Sequence, residues 1–160
     1  SLLLKDQTLI ELEKNRRLKE VLASLPKGLP MTSFEFSSGY GVRLHPVTGK
    51  PDFHAGLDMR PRENAQVKST MAGKIVLARY NGNYGNTVII DHGQGIQTLY
   101  AHLSKIQVNE GDQIGEGKLL GVAGNSGMST GVHLHYEIIV DNKPINPAKV
   151  IASGDGRVRI

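Results

Sequence analysis

The chain contains 160 residues, of which 39% are hydrophobic and 21% are charged. These fractions are typical of a single ordinary globular domain and exclude a predominantly disordered chain. The formal net charge of +4 favours polyanionic partners only weakly. There is no cysteine, which excludes thiolate zinc fingers, cysteine nucleophiles and disulfide bonds. A bound metal would therefore need nitrogen and oxygen ligands.

The first 25 residues carry a helical pattern. Apolar side chains recur at i, i+3, i+4 and i+7 at Leu18, Val21, Leu22 and Leu25. Because the apolar positions do not repeat as heptads, the pattern favours an amphipathic helix docked on the domain or on a partner over a long coiled coil. Prolines and a glycine at 26–30 end the helix. We assign residues 1–30 to a helical arm and linker, 31–152 to the main domain and 153–160 to a C-terminal tail.

The hydropathy of the chain and its first residues bear on membrane spans and on signal sequences. The apolar runs, such as residues 75–78 and 138–140, are far shorter than the roughly 20 residues that a membrane helix needs. The chain starts with Ser1, and no basic stretch, long apolar run and cleavage site follow in order. We therefore expect a processed form or a fragment of a longer protein.

The residue pattern from residue 31 onward is typical of a β-rich domain. Four segments rich in β-branched and apolar residues predict strands, at 74–80, 87–91, 96–103 and 133–140. Glycines and asparagines between the first two segments supply the positive φ angles that a hairpin needs. Because no helical pattern alternates with the strands, we predict a mainly β fold, an antiparallel β-sheet domain with an N-terminal α-helical arm.

Several of the six histidines lie at spacings that suit a shared metal site. His133 and His135 are two residues apart on a predicted strand, so both imidazoles leave the same face. His54 and Asp58 are four apart in a glycine-containing segment, which favours a strand or a strand-to-loop setting. A catalytic zinc site without cysteine needs three nitrogen or oxygen ligands and an open position. His54, Asp58 and one of the paired histidines would meet this need; the alternative is a surface hydrogen-bonded pair beside two solvated histidines.

Three blocks together carry a family resemblance: His54-x-x-x-Asp58, Tyr100-Ala-His102-Leu103 and His133-Leu-His135-Tyr-Glu137. They are accompanied by Gly41-Val-Arg43-Leu-His45-Pro46 and by a glycine-rich segment at 124–131. In this order the blocks resemble the lysostaphin and LytM type of zinc endopeptidase, which cuts peptidoglycan peptides. The resemblance covers about residues 37–148, and the joint pattern is far more specific than any single block.

The resemblance implies a fold, a site and an activity. The fold would be LytM-like, on a hairpin scaffold similar to that of lipoyl domains. One Zn2+ per chain would be held by His54, Asp58 and His135, and His102 and His133 would be the catalytic pair. A zinc-activated water assisted by these two histidines would hydrolyse peptide cross-links of peptidoglycan, with the bond from D-Ala to diaminopimelate favoured over glycine bridges. The protein would act in the periplasm or outside the cell. The linker at 26–30 and the absent signal sequence lead us to expect, separately, that it is anchored through an N-terminal part of a longer protein.

Other residues receive more modest interpretations. We expect Arg43, Asn83 and Tyr100 to contact the substrate. His45, which precedes a proline, is interpreted as structural, and His92 is expected to face solvent. Segment 124–131 lacks the Lys-Ser/Thr pair of a phosphate loop, so it is expected to form a wall of the cleft. No aromatic platform or basic stripe indicates nucleic-acid binding.

Two other functions are compatible with parts of the sequence. A non-catalytic or autoinhibited regulator could bind the cell wall through the same cleft, although the complete ligand set argues against it. A lipoyl or biotinyl carrier would explain segments 72–76 and 109–114, but it leaves the His-x-His strand unexplained and lacks the lysine that such a carrier modifies. We expect peptidoglycan as the partner, and the N-terminal helix to contact another protein or the rest of a longer chain.

Overall fold

The computed structural model describes residues 2–155, and the side chains of residues 6–151 among them. Two helices flank the β region of this part of the chain: α1 (Leu2–Ala23) and α2 (Pro147–Asp155). The strands are β1 (Phe34–Ser38), β2 (Gly41–Leu44), β3 (Pro51–His54), β4 (Leu57–Pro61), β5 (Gln66–Lys68), β6 (Gly73–Tyr80), β7 (Asn86–Gly93), β8 (Ile96–Ile106), β9 (Gln113–Ile114), β10 (Leu119–Ala123), β11 (Leu134–Val140) and β12 (Lys143–Ile145). A short 3-10 turn at Gly82–Tyr84 connects β6 to β7.

Ten strands form one antiparallel sheet. Its main path runs β1-β4-β11-β8-β7-β6-β9, while β10 pairs with β5 and β8, and β12 pairs with β11. Strands β2 and β3 form a separate two-stranded hairpin. The predicted fold class, mainly β and antiparallel with an N-terminal helix, is confirmed.

The central strands β8 and β11 are buried along most of their length. On β11, Leu134 and Tyr136 are fully buried in the hydrophobic core, and the alternation of a strand turns His135 and Glu137 to the opposite face. This second face lies against a cleft. One strand therefore contributes to the core and to the cleft at the same time.

The predicted strands exist, with small differences in extent. The first two segments form the predicted hairpin, in which Gly82 and Gly85 take positive φ angles of 53° and 66°. Strand β8 continues to Ile106, and β11 begins at Leu134, one residue later than expected. His133 is still linked to the sheet by an isolated bridge to Gly124.

Helix α1 contacts the domain through its C-terminal end. Val21 packs against the core, and Arg17 forms a 3.0 Å ion pair with Asp141. Farther back, Leu9 and Leu12 are 61% and 60% exposed. Of the predicted apolar face, Val21 and Leu25 meet the core, whereas Leu18 and Leu22 are 56% and 52% exposed, so the expected docking holds for only part of that face. Neither helix of the described residues has the length and apolarity needed to cross a bilayer.

The C-terminal boundary differs from the expected one. Helix α2 runs to Asp155, so the predicted start of the tail at residue 153 falls within a helix. Residues 156–160 of that tail lie outside the described residues.

His92 does not face solvent freely, which corrects its expected position. Its Nδ1 donates to the carbonyl oxygen of Ala72 at 2.8 Å, and its Nε2 lies 2.7 Å from Oγ1 of Thr98. Because a carbonyl can only accept, Nδ1 carries the proton and Nε2 is left as an acceptor for the hydroxyl. The sequence places His92 in a turn, whereas β7 continues through it to Gly93.

This environment predicts a pH effect on stability. Burial lowers the pKa of His92 below its ordinary 6.5, although the bond to Ala72 and the charge of Asp91 oppose the shift. The unfolded chain then binds the proton more tightly, so this stabilisation is complete above about pH 6.5 and is lost as the pH falls through the folded-state pKa. Between about pH 7.5 and pH 5, we expect the urea midpoint to fall more in the wild type than in His92→Asn. Equal falls in the two proteins would contradict this assignment.

Candidate metal centre and its cleft

Three strands bring His54, Asp58 and His135 to one point. His54 ends β3, Asp58 lies on β4, and His135 lies on β11 directly opposite Asp58 in the strand pairing. The turn between β3 and β4 passes through Gly56, where an added Cβ would lie 2.4 Å from the carbonyl oxygen of Tyr136. Only a glycine lets the chain return this close to β11.

The three side chains present one ligand atom each at short mutual distances. Nε2 of His54 lies 3.1 Å from Oδ1 of Asp58 and 3.2 Å from Nδ1 of His135, and the latter two atoms are 2.8 Å apart. A tetrahedral zinc with bonds of about 2.0 to 2.1 Å would separate its ligands by roughly 3.3 Å. The three residues are only 6–7% exposed. They are the group of described residues whose atoms could hold a metal ion.

The hydrogen bonds on the far side of each ring decide which nitrogen can bind a metal. Nδ1 of His54 donates to the carbonyl oxygen of Gly39 at 2.7 Å, which leaves a lone pair on Nε2. Nε2 of His135 donates to Oε2 of Glu137 at 2.7 Å, which leaves a lone pair on Nδ1. With the carboxylate of Asp58, three acceptor atoms thus point at one another. Such a donor set fits a divalent cation, and zinc in particular.

The electrostatics of the cluster favour positive charge. Burial alone would raise the pKa of Asp58, but hydrogen bonds to His135 and His54 outweigh it and hold that pKa well below its ordinary value. Burial would lower the pKa of His135, but its bonds to Asp58 and Glu137 raise it to about 9. The cluster therefore favours bound positive charge, either as a proton on Nδ1 of His135 or as a divalent metal cation.

His102 and His133 lie side by side next to this cluster, with ring centroids 4.8 Å apart. Nδ1 of His102 donates to the carbonyl oxygen of Ser126 at 2.7 Å, and Nδ1 of His133 donates to that of Gly131 at 2.8 Å. In the neutral form each ring therefore has its lone pair on Nε2, and Nε2 of His133 lies 3.9 Å from Oδ2 of Asp58. Burial lowers the pKa of His102 to about 4, although the hydrogen bond to Ser126 opposes the shift. Both imidazoles can thus accept a proton from the cleft.

A backbone irregularity brings His102 into the cleft. In a regular strand His102 would share a face with Tyr100, whose side chain lies in the core. His102 instead has a φ of +61°, and between the pairs Asn86–Leu103 and Val88–Tyr100 one residue of β7 lies opposite two of β8. This β-bulge turns the imidazole to the opposite face.

The cleft has a volume of about 430 Å³ and contains all five of these residues. Of the expected substrate-binding residues, Arg43 and Asn83 line it. Tyr100 does not, because it is fully buried and its hydroxyl lies 3.0 Å from the backbone nitrogen of Thr70. The expectation for Tyr100 was wrong, since the bulge separates it from His102.

Two loops form the rim of the cleft. Residues 128–133 line it, and the backbone nitrogen of Met128 donates to the carbonyl oxygen of Asn83 at 2.8 Å. Only residues 128–131 of the expected wall, which was residues 124–131, line the cleft. His45 also lines the cleft, but its Nδ1 accepts from the backbone nitrogen of Val47 at 3.1 Å, which supports a structural role in the β2–β3 turn.

Sequence reasoning assigned no role to two residues behind the metal cluster, Glu137 and Tyr84. The hydroxyl of Tyr84 donates to Oε2 of Glu137 at 2.8 Å, and the burial of Tyr84 together with the charge of Glu137 raises its pKa well above the ordinary value. Strand alternation could have placed Glu137 beside His135, because the two are two residues apart. The sequence around Tyr84 holds no comparable signal.

A buried cluster of two histidines and an aspartate, flanked by two further imidazoles in an open cleft, defines the class of zinc-dependent hydrolases. The sequence model of Peptidase family M23 matches residues 52–147. The chain belongs to this family.

Curated relatives match over part of their length. The chain is 39% identical over 121 residues to the DD-carboxypeptidase/endopeptidase Mpg of Neisseria meningitidis serogroup B, with 76% of this chain and 28% of Mpg covered. It is 42% identical over 107 residues to the peptidoglycan DD-endopeptidase ShyA of Vibrio cholerae, with 67% of this chain and 25% of ShyA covered. The chain thus spans about a quarter of the length of these relatives.

Solved structures have the same fold. A zinc-containing peptidase from Vibrio cholerae superposes with a TM-score of 0.70 at 34% identity, covering 78% of this chain and 39% of that one. The catalytic domain of lysostaphin from Staphylococcus simulans superposes with a TM-score of 0.67 at 29% identity, covering 74% and 92%. The resemblance to the LytM and lysostaphin family is confirmed.

Proposed function

We propose that the chain is the catalytic part of a zinc-dependent endopeptidase that hydrolyses peptide cross-links of bacterial peptidoglycan. The convergence of Nε2 of His54, Oδ1 of Asp58 and Nδ1 of His135 on one point of an open cleft carries the proposal. The relatives named DD-endopeptidases support it. Residues 31–152 form the catalytic domain in this proposal, and residues 1–30 form an arm and linker.

The hydrogen bonds within the cleft indicate which residues would hold the metal and which would transfer protons. His54, Asp58 and His135 would hold Zn2+, which polarises a carbonyl group and lowers the pKa of water toward about 7 when it is bound. His102 and His133 each keep a lone pair on Nε2, so one can accept a proton from the attacking water. The other can donate to the developing oxyanion or return a proton to the leaving amine.

Charge on the cleft rim favours an anionic peptide. Arg43 lines the cleft, and guanidinium groups bind carboxylates with two parallel hydrogen bonds, whereas Arg60, which also lines it, is ion-paired with Glu35 at 3.5 Å. A cross-link from D-Ala to diaminopimelate carries carboxylates beside the scissile bond, whereas a glycine bridge carries none. Asn83 supplies an amide for the peptide backbone. We therefore propose the cross-link from D-Ala to diaminopimelate as the substrate. We also propose that the protein acts in the periplasm or on the cell surface and is anchored to the membrane.

Digestion of purified peptidoglycan tests the proposal. We expect the chain to bind about one zinc and to release peptides from walls cross-linked through diaminopimelate, with the cleaved bond identified by mass spectrometry. Walls with glycine bridges are the matched control and should remain intact. A chain that binds zinc but cleaves neither wall would favour a non-catalytic or autoinhibited regulator. A chain that binds no zinc would overturn the proposal.

A further inference from the structure

Four imidazoles of the cleft, those around the metal cluster, are oriented by two different kinds of partner. Backbone carbonyl oxygens accept from Nδ1 of His54, His102 and His133, and the hydroxyl of Ser129 also lies 3.1 Å from Nδ1 of His133. A side chain, Glu137, accepts from His135 instead, and it does so at Nε2 rather than Nδ1. His135 is thus the imidazole that presents Nδ1 to the cluster, and its orienting partner can be changed by substitution.

Glu137 is placed to act only on this ring. Its side chain is buried at 4% exposure, and Oε2 receives both the Nε2 proton of His135 at 2.7 Å and the hydroxyl proton of Tyr84 at 2.8 Å. An oxygen that accepts two hydrogen bonds has no proton of its own to donate. It therefore cannot pair with the tautomer of His135 that has its lone pair on Nε2. Two charge-assisted bonds on one oxygen fix the position of the carboxylate.

Tyr84 is itself held by the packing of two loops. The 3-10 turn that carries it is followed by Gly85, where an added Cβ would lie 2.4 Å from the carbonyl carbon of Ser126. The hydroxyl of Ser126 accepts from the backbone nitrogen of Asn86 at 3.0 Å, and the carbonyl of the same serine accepts from His102. The contact between Gly85 and Ser126 therefore supports both the hydroxyl of Tyr84, which donates to Glu137, and the carbonyl of Ser126, which accepts from His102.

We propose that Tyr84 and Glu137 are positioning residues that hold His135 with Nε2 protonated, so that Nδ1 faces the metal. The inference rests on the proposed function only for the presence of zinc. A carboxylate behind a metal-binding imidazole fixes its tautomer and raises its basicity, and loss of such a partner typically lowers metal affinity by about 10- to 100-fold. The hydroxyl of Tyr84 touches only the carboxylate, so its loss should have a smaller effect.

Zinc affinity measured by competition with a chromogenic chelator tests this arrangement. We expect Glu137→Gln to weaken binding by about 10- to 100-fold and Tyr84→Phe by less than about 10-fold. Tyr80→Phe is the matched control, because Tyr80 is 62% exposed on β6, and it should bind as the wild type does. Long-range proton–nitrogen NMR of the zinc-bound proteins should show a protected Nε2 proton on His135 in the wild type and its loss or shift in Glu137→Gln.

The outcomes separate this inference from the proposed function. A wild type that binds no zinc would contradict the proposed function. A wild type that binds zinc, with Glu137→Gln and Tyr84→Phe binding equally well and an unchanged His135 spectrum, would overturn the positioning role alone. If Glu137→Gln does not fold, Tyr84→Phe alone tests the positioning role, because it removes one hydroxyl and leaves the carboxylate in place. Its affinity and its His135 spectrum would then have to differ from those of Tyr80→Phe.

Discussion

His135→Ala is expected to lose zinc binding and hydrolysis together. The substitution removes the ligand atom that lies within 3.2 Å of both other ligands, and it leaves the carboxylates of Asp58 and Glu137 buried without their shared partner. A site reduced to two ligands should bind zinc more than about 100-fold more weakly, a larger effect than loss of an outer partner. Zinc content after dialysis and peptide release from peptidoglycan would measure the two losses.

His92→Asn is the matched control for this experiment, since it changes a histidine that contacts Ala72 and Thr98 rather than the cleft. It should keep both zinc and activity. Retention of zinc at the wild-type affinity by His135→Ala would show that the metal is bound elsewhere or by other ligands. Added zinc should not restore the activity of the variant, because the ligand geometry and not only the occupancy has changed.

His133→Ala and His102→Ala should separate turnover from metal binding. Neither side chain belongs to the metal cluster, but both keep an Nε2 lone pair beside it. General acid or base assistance typically contributes about 10²- to 10⁴-fold, so we expect kcat to fall by that factor while each variant keeps about one zinc. The readouts are single-turnover cleavage of a cross-linked muropeptide and zinc content of the same sample.

The pair of variants also tests whether the two histidines act as a unit. If they do, the double variant should be little slower than either single one, because the proton path is already broken. A variant that loses zinc along with activity would place its histidine among the metal ligands and contradict the assigned roles. Activity unchanged in both single variants would contradict a catalytic pair altogether.

Strand alternation made much of the site predictable. The rule that side chains two apart share a face placed His133 and His135 together, and the glycine between His54 and Asp58 favoured a strand or strand-to-loop setting, which the positions of these residues on β3 and β4 match. The long strands β6, β7, β8 and β11 were predictable because they carry several consecutive β-branched or apolar residues. The strands of two to five residues, such as β5 and β9, carry too few residues for a periodic signal and form through pairing with their neighbours.

The errors arose where the backbone departs from that regularity. Tyr100 was expected to contact the substrate, but the positive φ at His102 places the two side chains on opposite faces and leaves Tyr100 in the core. The contact of Tyr84 with Glu137 was not predicted for a different reason. The two residues are 53 apart in the chain, and only the packed loops bring them together. Long-range contacts of this kind have no local pattern.

The bulge in β8 also determines which substitutions this chain can tolerate. Since the residues before it alternate normally, the core positions of β8 and β11 are occupied by large apolar and tyrosine side chains, while the polar chemistry is confined to the other face. Amino acids on the cleft side can then be exchanged during evolution without emptying the hydrophobic interior. A single deleted residue at the bulge would return the imidazole to the interior and put the two halves of the strand back in phase, so it should impair catalysis even with every other cleft residue unchanged.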